Sequence, residues 1–154
     1  MNIRITEEHI LTTILLLACA LLLSACQEGY QVHARTHNVE FSEISRFEKI
    51  WRDNSYDYNF ERVEGEKYYK SYYKKFPLNE GAIYVTSNIL CSKGYMNGLC
   101  EELEIETGVM RGQSRDDVLK EIESISIQLV DELKSIVGEE NVEVTVTKMG
   151  PPIF

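Results

Sequence analysis

Residues 66–76 read EKYYKSYYKKF, and the period assigned to this stretch decides how much of the middle of the chain is helix and how much is sheet. At about 100° per residue, Tyr68, Tyr72, Phe76, Tyr69 and Tyr73 fall within an arc of about 140°, and Lys67, Lys70, Ser71, Lys74 and Lys75 take the rest of the circle. A period of two scatters the rings over both faces instead. The reading is therefore a helix with one aromatic side, stopped by Pro77, because a proline disfavours helical geometry in the residue before it.

Upstream, Phe41, Ile44, Phe47, Ile50 and Trp51 recur at helical spacing, with Ser42 placed to cap and Asp53-Asn54 to close a short helix. Between the two helices, Tyr56, Tyr58 and Phe60 alternate with Asp57, Asn59 and Glu61, the pattern of a strand ending near Gly65. Downstream, residues 81–91 and 99–107 read as two strands of an antiparallel hairpin around SKGYMNG, where Gly94 and Asn97-Gly98 tolerate positive φ. Leu103 and Ile105 point one way and Glu102, Glu104 and Glu106 the other, so one face of that hairpin is solvated. Ser114 with Asp117 at the third helical position forms a variant capping box. The spacing of Val118, Leu119, Ile122, Ile125, Leu129, Val130, Leu133, Ile136 and Val137 then predicts a helix of more than five turns, ended by Gly138. Val142, Val144 and Val146 alternate with polar residues in a last strand before Gly150-Pro151-Pro152. The expected fold class is α+β: a small antiparallel sheet, ordered strand-strand-helix-strand in the C-terminal half, with one long amphipathic helix on one face and shorter N-terminal helices.

Composition sets outer limits. With 44% hydrophobic and 10% aromatic residues, the chain has the apolar surface needed to offset the entropy of ordering, which excludes a disordered chain. The net charge of -9 argues against a nucleic-acid partner, since that affinity comes from lysine and arginine displacing counterions from phosphate. The charge is uneven: residues 26–95 balance, and residues 96–154 carry the excess of carboxylates.

At the N-terminus, residues 10–23 read ILTTILLLACALLL, without a charge and too short for the roughly twenty apolar residues of a transmembrane helix, so they fit the h-region of a secretory signal. The run Leu23-Ser24-Ala25-Cys26 that follows resembles the lipobox of bacterial lipoproteins. The resemblance covers this segment alone. It implies that residues 1–25 are a signal peptide removed on export, and that Cys26 receives a diacylglyceryl group and an N-acyl chain (palmitate labelling is the usual sign) and becomes the new N-terminus. It also implies a membrane-anchored protein of the cell envelope facing the periplasm. By the family's sorting rule Gln27 favours the outer membrane, with the inner membrane the alternative. Residues 26–38 lack sustained periodicity and read as the lipidated cysteine and a flexible tether, leaving 39–154 as one domain.

With Cys19 discarded and Cys26 lipidated, Cys91 and Cys100 remain as a pair in an oxidising compartment, where a disulfide is expected. Their parity differs: Cys91 shares a strand face with Ile83, Val85 and Ile89, whereas Cys100 shares one with Glu102, so pairing needs a bulge or an irregular turn. His33 and His37 have the four-residue spacing that puts two imidazoles on one helical face for zinc, but they fall in the tether without a cysteine or acidic partner at ligand spacing, and no metal is expected. With no histidine beyond the tether, a nucleophilic triad is not expected either. The candidate partner-binding residues are Tyr68, Tyr69, Tyr72 and Tyr73, whose rings could stack on a ligand or serve as core, and the acidic Glu102, Glu104 and Glu106, which could steer a basic partner or simply be solvated. The functional expectation is an envelope binding or accessory module without a catalytic site or cofactor: an assembly factor, an inhibitor or immunity protein, or a lipoprotein tied to envelope stress. The alternative is a cell-wall or glycan hydrolase using paired carboxylates.

Overall fold

The computed structural model describes residues 29–92, 94–109 and 115–149. Eight principal elements follow in the order β1 (Gly29–Glu40), α1 (Ile44–Asp53), β2 (Asp57–Glu64), β3 (Lys67–Pro77), β4 (Ala82–Cys91), β5 (Leu99–Val109), α2 (Asp116–Val137) and β6 (Glu143–Met149). The strands form one antiparallel sheet in the order β2-β3-β4-β5-β1-β6, and both helices pack on the same face of it.

This corrects the expected fold class. The sheet is not small but six-stranded and dominates the fold, and in place of several N-terminal helices the described residues hold one short α-helix, α1, between β1 and β2. Two stretches account for the difference. Residues 66–76, read as a helix, are almost wholly β3. Its inward row is Tyr68, Lys70, Tyr72, Lys74 and Phe76, paired with Cys91, Ile89, Ser87, Val85 and Ile83 on β4. The two lysines are accommodated on this row because their long stems carry the ammonium groups to carboxylates on the helices: Lys70 Nζ lies 2.6 Å from Glu48, and Lys74 Nζ 3.0 Å from Glu121. The tyrosines divide between the faces because each face offers them rings. Trp51 stacks on Tyr72 inside, with centroids 4.5 Å apart, and Phe60 stacks on Tyr69 outside at 5.3 Å.

The second stretch is the expected tether. Residues 29–40 form β1, paired with both β5 and β6, so the boundary expected after residue 38 falls inside a strand. Val32, Ala34 and Thr36 alternate inward with Gln31, His33 and Arg35 outward. The inward side chains are small because α2 lies across β1 and β5, and their low hydrophobicity hid the strand from a search for apolar alternation.

Elsewhere the local chemistry accounts for the elements. α1 buries Ile44, Phe47 and Trp51 at three- and four-residue spacing. A turn of 3-10 helix at Phe41–Glu43 precedes it, no side chain caps it, and the Asn54 side chain donates to the Ile50 carbonyl at its end, 2.9 Å away. α2 buries Val118, Ile122, Ile125, Leu129 and Leu133 and ends at Gly138, whose φ of 90° closes the helix. Its start is flanked by Arg115, bonded to Asp117 at 2.5 and 2.6 Å; the expected cap, Ser114, lies outside the described residues. A buried polar chain crosses the centre of the core: Trp51 Nε1 donates to Ser87 Oγ at 2.7 Å, and that hydroxyl lies 2.8 Å from Thr107 Oγ1. These polar atoms are satisfied without water, which makes the burial of Ser87 and Thr107 tolerable.

Candidate functional site

With both helices on one side, the opposite face of the sheet has no covering layer among the described residues. The strand register arranges its outward side chains in rows. One row runs Arg62, Tyr69, Leu90, Glu104, Arg35 and Glu143 across the six strands; the next runs Phe60, Ser71, Asn88, Glu106, His33 and Thr145. A third begins Asp57, Tyr73 and Thr86, and Tyr73 packs on Tyr84 with centroids 5.7 Å apart. The face is therefore divided. Its β2–β4 half carries Phe60, Tyr69, Tyr73, Tyr84 and Leu90, with Phe60 and Tyr84 exposed at 41% and 42%; its β5–β1 half is charged.

On the charged half, Arg35 reaches Glu104 at 2.7 Å and Glu102 at 3.6 Å, and His33 Nε2 lies 3.4 Å from Glu104. Such partly exposed pairs fix side-chain positions more than they stabilise the fold. The two halves meet between Tyr69 and Glu106: burial, followed by the Glu106 charge, pushes the Tyr69 hydroxyl pKa above the ordinary tyrosine value, against an opposing effect of Arg62.

The structure divides the sequence-derived candidates accordingly. Tyr69, Tyr73, Glu102, Glu104 and Glu106 share the uncovered face. Tyr68 and Tyr72 belong to the core, each 4% exposed. Tyr68 is pushed up to about 12, chiefly by burial, with Lys70 opposing and Glu61 and Glu48 adding. Burial lowers the pKa of the neighbouring Lys70, but its hydrogen bond to Glu48 and nearby negative groups outweigh that and hold it above the usual lysine value. Its ammonium lies 5.8 and 6.0 Å from the Tyr58 and Tyr72 ring centroids, so it remains a charge held between rings and carboxylates. Sequence reasoning missed Phe60, Tyr84 and Leu90 as members of the face. The signal was the alternation in residues 82–91, which sets Tyr84 and Leu90 opposite the apolar row of Ile83, Val85 and Ile89.

Cys91 and Cys100 are disulfide-bonded, with Cα atoms 5.3 Å apart, and both are fully buried. The parity problem is solved beside Asn38, whose φ of 57° interrupts the alternation of β1. Thr36 and Val39 both turn inward there, and opposite them Leu103 and Cys100 do the same, leaving Glu101 and Glu102 outside. The intervening loop is closed by Gly94, where a Cβ would stand 2.4 Å from the Leu99 carbonyl oxygen. His33 and His37 lie on β1, where a four-residue separation is about 13 Å rather than one helical turn; His37 Nδ1 lies 3.2 Å from the Glu101 carbonyl. Among the described residues no group of three metal-capable side chains converges, and no helix is long and apolar enough to cross a membrane. Cys26 lies outside the described residues.

A cleft of about 1080 Å³ opens where β1, α1, α2 and β6 meet, lined among others by Arg35, His37, Arg46, Ser135, Glu140 and Asn141. Its cations are already engaged, Arg46 by Glu43 and Glu132 and Arg35 by Glu102 and Glu104. No protein-family model matches the chain, and no curated protein matches it.

Proposed function

We propose that this protein is a lipid-anchored envelope lipoprotein, held through acylated Cys26 and facing the periplasm, that acts as a binding or accessory module through the uncovered face of its sheet. The observation that carries the reading is the composition of that face. An antiparallel sheet left open on one side is ordinarily polar there, whereas this one keeps Phe60, Tyr69, Tyr73, Tyr84 and Leu90 together beside Glu104 and Glu106. Aromatic rings bordered by charge are what protein-binding surfaces use for anchoring and for register. The lipobox Leu23-Ser24-Ala25-Cys26 supports the anchor, since two or more acyl chains hold a protein durably at a membrane where one does not. Gln27 favours the outer membrane.

Two measurements test the reading. Cys26→Ser should abolish palmitate labelling and leave unprocessed precursor; normal labelling and processing would remove the anchor from the proposal. Photo-crosslinkers at Tyr69 and Tyr84 in cells should capture one reproducible protein, and the same probe at the exposed Ile127 of α2 should not. No partner from either position, with glycan turnover lost in a scan of the glutamates, favours the hydrolase instead.

A further inference from the structure

The geometry points to a defined seat of the domain on the lipid surface, with the pole where β1 begins resting at the headgroups and the opposite, acidic pole projected away. The inference rests on the anchor reading above and adds to it an orientation. Three residue steps separate Cys26 from Gly29, the first residue of β1. An extended chain covers at most about 3.6 Å per residue, so an acylated Cys26 holds the start of β1 within about 11 Å whatever course those residues take. The long tether expected from the sequence would have allowed any orientation; a strand starting at Gly29 does not.

The register identifies what shares that pole. Gly29 pairs with Met149, Tyr30 with Val109, and Val109 with Val85, so the ends of β5 and β6 and the start of β4 lie beside the anchor. The turn between β3 and β4 lies at this end as well and presents Leu78, 41% exposed, with Tyr84 close by at 42%. An exposed leucine and tyrosine beside Lys75 suit a headgroup boundary, where amphipathic rings and basic side chains settle. The far pole is the more acidic: Glu40, Glu43, Glu101, Glu139 and Glu140 gather around the end of β1 and the α2 terminus, whereas the near pole sets Glu80, Asp116 and Asp117 against Lys75, Arg115 and Lys148. From Gly29 to Glu40, β1 extends roughly 36 Å. That is several screening lengths at physiological salt, so an upright domain keeps these carboxylates clear of anionic headgroups and a domain lying down does not. The cleft at the far pole then opens into the periplasm.

The test uses the full mature lipoprotein in vesicles of phosphatidylethanolamine with a minority of phosphatidylglycerol. Cys91 and Cys100 are bonded and Cys26 is acylated, so Leu78→Cys or Glu140→Cys supplies a single reactive thiol for a fluorophore. Nitroxide-headgroup lipid should quench the label at position 78 several-fold more than the label at position 140. Glu80→Cys and Glu101→Cys, both at exposed positions, repeat the comparison should either first variant fold poorly. Equal or reversed quenching on protein whose N-terminal peptide carries the acyl mass overturns the orientation and leaves the anchor standing. An unmodified N-terminal peptide overturns the anchor, and the orientation with it.

Discussion

Reduction of the Cys91–Cys100 disulfide should lower the stability of the domain while leaving its native fold in place. The bond joins residues nine apart, and a closed loop of that length removes about 2.6 kcal/mol of chain entropy from the unfolded state in the loop-closure treatment. The folded loop is held independently of the sulfur atoms. Ser92 N–H donates to the Glu102 carbonyl at 2.9 Å, Asn97 N–H to Gly94 at 2.8 Å, and Phe41 N–H to Gly98 at 2.8 Å. The two thiols remain buried after reduction, so no polar group loses a water partner without compensation. The cost should therefore fall on the unfolded side, and a domain of this size would lose about 10 °C in Tm. Paired urea titrations of the non-acylated protein, with and without reductant, measure it. The midpoint should fall, tertiary circular dichroism in the absence of urea should not change, and the slope should shift modestly because the reduced unfolded chain is more open. A change under about 0.5 kcal/mol, or loss of native tertiary signal on reduction, would refute the reasoning.

Two further perturbations address the inward lysine of β3 and its surroundings. Lys70→Met should cost about 1.5–3 kcal/mol, the range for a charge-assisted hydrogen bond, toward the lower end because Glu48 keeps Arg52 at 3.9 Å; a cycle with Glu48→Gln should show coupling of about 1 kcal/mol, and strictly additive costs would count against the pair. Alkaline pH should destabilise the fold through Tyr68, whose pKa rises from 10.0 to about 12 on folding. A raised folded pKa means the contribution is complete below the unfolded value and is lost as pH climbs between the two. Denaturation midpoints should therefore fall across that interval, with the tyrosinate absorbance of Tyr68 delayed until unfolding together with that of Tyr56, Tyr69 and Tyr72, which burial also pushes up; a flat profile there would count against the buried placement.

The elements legible in the sequence were those with one apolar side and one purpose. α2 carries a continuous stripe and a terminating glycine, and the hairpin of β4 and β5 alternates along β4 and from Glu102 to Thr107 on β5, around a turn that requires positive φ. β3 was illegible because both of its faces hold rings, and because Lys70 and Lys74 point toward the core, where their carboxylate partners come from α1 and α2. Nothing within residues 66–76 encodes Glu48 or Glu121. β1 was illegible for a related reason: its inward Val32, Ala34 and Thr36 are small to admit a helix more than seventy residues further on. The candidate surface was half legible. Glu102, Glu104 and Glu106 declared a solvated face, but the choice of Tyr69 and Tyr73 over Tyr68 and Tyr72 required the register of β3 on β4.

The chain contains one tryptophan, and Trp51 sits fully buried where α1 meets the sheet, stacked on Tyr72 and donating to Ser87. The molecule thus contains its own optical gauge. Emission from that indole reports the distance of α1 from β3 and β4 and little else, since the uncovered face lies on the far side of the sheet backbone. A ligand that settles on Tyr69 and Tyr84 without altering the emission leaves the helical layer undisturbed; one that shifts it has moved α1 through the thickness of the sheet.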